Sequence, residues 1–151
     1  MSRSGADLAL LLLGGFRFMA EAAHDRLAAR GYPGVRPGHD FALRAVAEGA
    51  GSLSEVGRRT STSKQAAAKT IAFLQEGGYV LRSPHPRDSR RAQLTITDRG
   101  RSLMNEGEAV FDELRTEWES LVGRDRVSDM QDALERLVGP GRGASSPWSG
   151  D

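Results

Sequence analysis

No cysteine occurs in the 151 residues. That excludes a disulfide scaffold, a cysteine-ligated zinc or iron–sulfur centre, a cysteine nucleophile and a thiol redox sensor. Long apolar runs are missing too. The longest, Leu8 to Leu13, is far too short to span a bilayer. It could imitate the apolar core of a signal peptide, but acidic Asp7 precedes it, Glu21 follows and no convincing cleavage motif is present. A cytoplasmic location without a membrane partner is expected. The three histidines, His24, His39 and His85, are widely spaced and no convergent set of carboxylates accompanies them in sequence, so no metal site is expected. There is no Gly-rich phosphate loop, nucleophile elbow or HExxH motif. Catalysis therefore has no support: the chain reads as neither an enzyme nor a cofactor carrier. No internal repeat is visible.

What is present fits one soluble domain. The length suits a single compact unit, with 38% hydrophobic and 27% charged residues. About two-thirds of the unfolded surface can be buried at this size, so no staple is needed. The net charge of +1 hides a segregation. Ser52 to Arg101 carries ten Lys/Arg against four Asp/Glu, and Ser102 to Val138 carries four against ten. A basic middle followed by an acidic segment suggests an anion-binding surface on a separate scaffold. The only two lysines, Lys64 and Lys69, lie in the basic middle.

Periodicity predicts a helix over 7–30, with Leu8, Leu12, Phe16, Met19, Ala23 and Leu27 at helical spacing. Its first turns are apolar nearly all round, which points to contacts beyond its own domain. Gly14–Gly15 marks either a kink or a close helix crossing. After the break at Gly31, Pro33, Gly34 and Pro37, a second helix runs from about 38 to 48, with Phe41, Ala42, Ala45 and Val46 on one face. Ser52-Leu53-Ser54-Glu55 reads as a capping box opening a short helix to Arg59. A polar turn, Thr60 to Ser63, leads into a helix over 63–76, with Thr62 and Gln65 as a second possible box. Two short helices joined by a tight turn make a helix-turn-helix. Tyr79 to Ser83 has strand character, Pro84-His85-Pro86 should end it, and residues 87–91 form a charged tip. Ala92, Leu94 and Ile96 then alternate with polar residues as a half-buried strand. Thr97 or Asp98 starts a helix to about Val122, close to 38 Å long, and Ser128 with Gln131 should open a last one. The fold class expected is mainly α with a small β-hairpin wing: a winged helix-turn-helix.

Three segments carry a family resemblance. They are Thr62-Ser-Lys-Gln-Ala-Ala-Ala-Lys-Thr-Ile-Ala-Phe-Leu-Gln-Glu-Gly-Gly-Tyr-Val80; Asp88-Ser-Arg90 with Leu94-Thr-Ile96-Thr97 and Gly100; and Gly31-Tyr-Pro-Gly-Val-Arg-Pro37. Together they resemble the multiple-antibiotic-resistance regulator (MarR) family of winged-helix transcription factors, over about residues 8–138. The second segment is similar to the family's Asp-x-Arg wing and its LT..G turn, here with Ile at the Leu position. The resemblance implies one winged-helix domain over 1–138, its DNA-binding part about 38–97 and dimerisation helices about 7–30 and 98–138, while the Gly/Ser/Pro-rich composition of 139–151 predicts a loosely ordered tail. It also implies a homodimer, a palindromic operator, usually repression, and often release by a small anionic or phenolic effector. The family's peroxide-sensing branch needs a reactive cysteine, which is absent here.

The DNA-binding candidates are Thr62, Ser63, Lys64, Gln65, Lys69 and Thr70 at the start of the second helix of the motif, and Arg87, Arg90 and Arg91 in the wing. Gln suits adenine and Lys suits guanine or phosphate, and this helix end is the part that enters a major groove. Arg90, expected at the hairpin tip, is the best wing candidate. Asp88 is expected to orient the neighbouring arginines. Each could instead be an ordinary solvated residue. Dimer-interface candidates are Leu8, Leu11, Leu12, Val110, Leu114, Trp118, Leu121, Met130, Leu134 and Leu137. Candidates for an effector pocket are Phe16, Arg17, Met19, His24, His39 and Phe41. The competing readings are a winged-helix protein–protein module without DNA binding and a small-molecule-sequestering protein. The retained basic middle argues against the first.

Overall fold

The computed structural model describes residues 3–139; the tail expected over 139–151 falls, beyond Gly139, outside the described residues. Six helices and one hairpin follow in order: α1 (Gly5–Ala29), α2 (Pro37–Ala47), α3 (Leu53–Thr60), α4 (Lys64–Glu76), β1 (Val80–His85), β2 (Asp88–Ile96), α5 (Asp98–Val122) and α6 (Arg124–Val138). This is a winged helix-turn-helix flanked by long helices.

Helix α1 starts two residues earlier than its periodicity suggests, because Ser4 and Asp7 form a capping box. It continues through Gly14–Gly15, and a Cβ on Gly15 would lie 3.5 Å from the Trp118 ring. The glycine pair therefore makes no kink: Gly15 faces α5 at ordinary contact distance, and Gly14 has nothing within 4 Å of its Cβ position. Ser52 caps α3 by accepting from the Glu55 amide, but the reciprocal half of the expected box is displaced: Glu55 accepts from the Gly51 amide instead. At α4 the cap is Ser63, whose hydroxyl accepts from the Ala66 amide. Thr62 is not the cap. Its hydroxyl is bonded to that of Thr60 at the turn.

The hairpin is longer than expected. Strand β1 runs through Pro84, paired with Ala92, and the register slips between Pro84 and His85. Each strand of a two-stranded sheet has an open edge, where a proline's missing N–H goes unnoticed. Helix α6 begins at Arg124, four residues before Ser128, because Gly123 at φ 100° breaks the chain from α5. Gln131 lies within that helix and bonds Arg115 and Glu135.

The core joins all these pieces. Leu43 of α2, Val56 of α3, Ile71 and Leu74 of α4, Tyr79 before the wing, and Leu103, Val110 and Leu114 of α5 are fully or almost fully buried. Tyr79 is the hinge between elements. Its amide donates to the Leu74 carbonyl, and its carbonyl accepts from the Thr97 amide. The latter contact leaves no room at Gly100, where a Cβ would sit 2.2 Å from the Tyr79 oxygen and 2.7 Å from Ile96.

Alanine at Gly100 gains about 1 kcal/mol of helix propensity, but the backbone oxygen cannot step aside, and overpacking of this kind costs about 1–3 kcal/mol or more. Gly100→Ala should therefore lower the urea midpoint at fixed protein concentration. Gly38→Ala, with nothing within 4 Å of its Cβ, should leave the midpoint unchanged or raise it. Equal midpoints for the two variants would refute the close contact.

Candidate nucleic-acid interface

The exposed start of α4 and the hairpin provide the basic surface. Lys64, Gln65 and Lys69 are exposed and make no side-chain hydrogen bond or ion pair among the described residues. Ala66 is exposed beside them, Ala68 is half-buried, and Ala67 faces the core. Three of the expected contacts are engaged locally. Thr62 bonds Thr60, Ser63 caps the helix, and the Thr70 hydroxyl donates to the Ala66 carbonyl at 3.1 Å. Their hydroxyls hold the start of α4 in shape, and Lys64, Gln65 and Lys69 in its first two turns present free donors.

The wing differs from expectation at its tip. The turn is Pro86–Arg87, while Arg90 and Arg91 belong to strand β2. Arg87 therefore takes the position expected for Arg90. The difference arises because the Asp88 carboxylate accepts from the Arg90 amide and His85 Nδ1 accepts from the Arg87 amide, which tightens the turn and extends the strands. Asp88 thus orients the Arg90 backbone and forms no ion pair with an arginine side chain among the described residues. All three arginines are exposed.

A charge pattern separates this face from the scaffold. Arg26 pairs with Glu113 and Glu117, Arg30 with Glu106 and Glu113, and Arg44 with Asp40 and Glu108. The acidic face of α5 is thereby matched by arginines of α1 and α2. The Arg30 hydrogen bond holds Glu113 below the usual carboxylate range, and Glu113 raises Arg30 in return. In contrast, Lys64, Lys69, Arg82, Arg87, Arg90 and Arg91 have no carboxylate partner among the described residues. Arg82, on β1, was not singled out from the sequence, since it stands alone between Leu81 and Ser83.

Arg99 was missed as well. Its guanidinium lies 5.1 Å from the Tyr32 ring centre and 4.9 Å from that of Tyr79, and donates to the carbonyls of Gly77 and Gly31. It ties the end of α4 to the loop after α1. Only tertiary proximity reveals this, because its partners lie up to 68 positions away in the chain.

The other two candidate sets divide. Leu8, Leu11, Leu12, Leu121, Met130 and Leu137 are exposed, Leu121 and Leu137 at 81%, and Trp118 and Leu134 are half-buried. Val110 and Leu114 are 0% exposed inside the protomer. They cannot form a surface, because they pack inward with Leu103 along the same stripe of α5. Phe18, also exposed, meets Trp118 at 6.2 Å.

Of the six effector-pocket candidates, only His24 lines the cavity found between α1, α2 and α5, along with Leu27, Val35, Asp40 and Phe111. That cavity measures about 20 Å³, room for about one water. Phe16 and Arg17 are exposed, Met19 and Phe41 are partly buried away from it, and the His24 ring N–H donates to the Val35 carbonyl. His39 lies flat on Phe73 of α4, centroids 3.8 Å apart, and its Nδ1 accepts from the Arg36 amide. Among the described residues no cluster of His, Asp and Glu is arranged to hold a metal, and no helix is long and apolar enough to cross a membrane.

No family model matches the chain. The HTH-type transcriptional regulator BilQ of Clostridioides difficile is 32% identical over 60 residues, which is 40% of this chain and 40% of that protein. The chain thus matches less than half the length of this relative. Among solved structures, the reduced form of MarR from E. coli superposes with a TM-score of 0.72 at 17% identity, covering 87% of this chain and 96% of that one. CouR from Rhodococcus jostii RHA1, bound to p-coumaroyl-CoA, gives 0.64 at 22% identity over 92% and 97%. A mutant MepR from S. aureus, bound to an oligodeoxyribonucleotide, gives 0.58 at 17% over 87% and 95%. The chain has the winged helix-turn-helix fold of MarR-family regulators.

His39 connects this fold to pH. Burial, and secondly the nearby Arg36 charge, hold its pKa below the ordinary 6.5. The unfolded chain then binds a proton that the native state resists, so stability falls as pH drops below about 6.5. His39→Phe, which retains the stack on Phe73, should flatten the fall in melting temperature between pH 7.5 and 5.5. An equally steep fall in wild type and variant would contradict this.

Proposed function

We propose that this chain is a transcriptional regulator of the MarR type, acting as a homodimer that binds a palindromic operator, as a repressor. The observation that carries the DNA-binding reading is the set of cations on α4 and the wing that have no carboxylate partner among the described residues, whereas Arg26, Arg30 and Arg44 of the scaffold are matched by carboxylates. DNA is a dense anion, and unpaired Lys and Arg side chains gain affinity by releasing its counterions. In this reading Gln65 reaches base edges in the major groove, Lys64 and Lys69 meet the backbone, and Arg87 at the tip enters the minor groove with Arg90 and Arg91 on the flanking phosphates.

The exposed apolar residues of α1, α5 and α6 support the dimer. Leu8, Leu11, Phe16, Leu121 and Leu137 form more exposed hydrocarbon than a lone domain ordinarily leaves in water. A second copy would place the two recognition helices on half-sites about one turn, roughly 10 bp, apart. Response to a small anionic or phenolic effector belongs to the same reading; the cavity beside His24 by itself admits about one water. An effector weakens DNA binding only by preferring a state in which the helices are wrongly spaced.

Titration of the protein against its own upstream DNA and a scrambled duplex across a salt series tests the proposal. Binding should favour the upstream DNA and fall steeply with salt; no binding to either duplex would overturn it. Gln65→Ala should relax preference at one operator position by about 1–3 kcal/mol, whereas Arg87→Ala should weaken both duplexes alike. Sedimentation should give a dimer at micromolar concentration, with Leu11→Glu shifting it to monomer. A folded wild-type monomer would remove the dimer from the proposal.

A further inference from the structure

A cavity of about 220 Å³ opens between the start of α3, the start of α4 and the wing. Its wall includes Lys64, Arg82 and Arg91, from three different elements, together with Leu53 and Ser54. No carboxylate lines it. The three cations have no ion-pair partner among the described residues and are exposed at its mouth. Three unpaired cations around one concave site repel one another, an arrangement that an anion relieves. Amides add to this. Ser52 occupies the Glu55 amide, and the Val56 amide returns to the Ser52 carbonyl, so the amides of Leu53 and Ser54 are the first-turn donors of α3 left without a helical acceptor.

We propose that this cavity seats one phosphodiester of the DNA backbone, held by Arg82, Arg91 and Lys64 and by the Leu53 and Ser54 amides. The inference rests on the DNA-binding reading and adds Arg82 to the contacts. The site lies between Lys64, at the base-reading end of α4, and the wing strand that carries Arg91, so a backbone passing from major to minor groove crosses it. Arg82 fixes register: it contacts phosphate, carries no sequence information and holds α4 at a set depth in the groove. A guanidinium with five donors suits the several oxygens of a phosphate.

The test compares wild type, Arg82→Gln and Arg82→Lys, with Arg126→Gln on α6 as a control of equal charge loss. Each is titrated against the upstream duplex and a random duplex at several salt concentrations. Arg82→Gln should weaken binding to both duplexes about tenfold and make the salt slope shallower by nearly one unit. Arg82→Lys should recover part of the affinity and the full slope, and Arg126→Gln should match wild type. Circular dichroism and melting temperature confirm that each variant is folded. Neutralising single backbone positions as methylphosphonates should reveal one position per half-site that weakens wild type and leaves Arg82→Gln unaffected. The assignment is overturned if Arg82→Gln behaves like Arg126→Gln while wild type binds DNA. It is equally overturned if every methylphosphonate affects both proteins alike. Wild type that binds neither duplex defeats the DNA-binding reading itself, and this assignment with it. A further arm titrates inorganic phosphate alone and follows the Leu53 and Ser54 amide resonances. Tight, saturable binding at micromolar phosphate would identify a free anion as the occupant and overturn the backbone assignment. Weak or no response at those concentrations supports it.

Discussion

Tyr79 is the joint through which the helix-turn-helix and the wing are fixed to the rest of the chain. The buried ring sits at the end of α4, its amide closes that helix through Leu74, and its carbonyl binds the amide that opens α5. Gly100 lets α5 approach that carbonyl without a side chain between. Arg99 then lies close to both Tyr32 and Tyr79 and binds the backbone on either side. Helix α4, the wing and the long helix α5 therefore share a single junction. A shift of α5 must be felt at the end of α4, because there is no slack between the backbone groups that join them.

Charge is arranged around the same frame. The arginines of α1 and α2 are matched against the glutamates of α5, which fixes the long helices alongside one another. These pairs are partly exposed, so each adds little to stability. Their consequence is rather that the glutamates of α5 are locally neutralised. The cations of α4 and the wing have no such partners among the described residues, so the positive potential is concentrated there. A net charge near zero thus conceals a surface with one strongly basic side.

The helix-turn-helix, the hairpin and the two long helices were legible in the sequence because each follows a local rule. Apolar residues recur at helical or alternating spacing, and Ser or Thr precedes each of α1, α3, α4 and α5. The failures have equally local causes. Ser63 and Thr62 are both competent caps, and the contact between Thr62 and Thr60 decides between them. The wing tip moved from Arg90 to Arg87 because two side chains, His85 and Asp88, bind the turn backbone and lengthen the strands. Val110 and Leu114 share a helical stripe with residues that face solvent, and periodicity alone does not divide such a stripe between a protomer's own core and its surface.

The sequence by itself determined the class of the molecule: a mainly helical chain with a basic wing, no thiol chemistry and an apolar amino-terminal helix too rich in leucine for one small core. These follow from composition and from spacings of two to four residues, over which backbone geometry is nearly fixed. The tertiary structure decided which charged groups are paired, which apolar residues remain exposed and which side chains converge. Arg30 meets Glu113 across 83 positions, and Lys64, Arg82 and Arg91 surround one cavity. Such meetings depend on how whole elements pack, and no residue's neighbours in sequence carry that information.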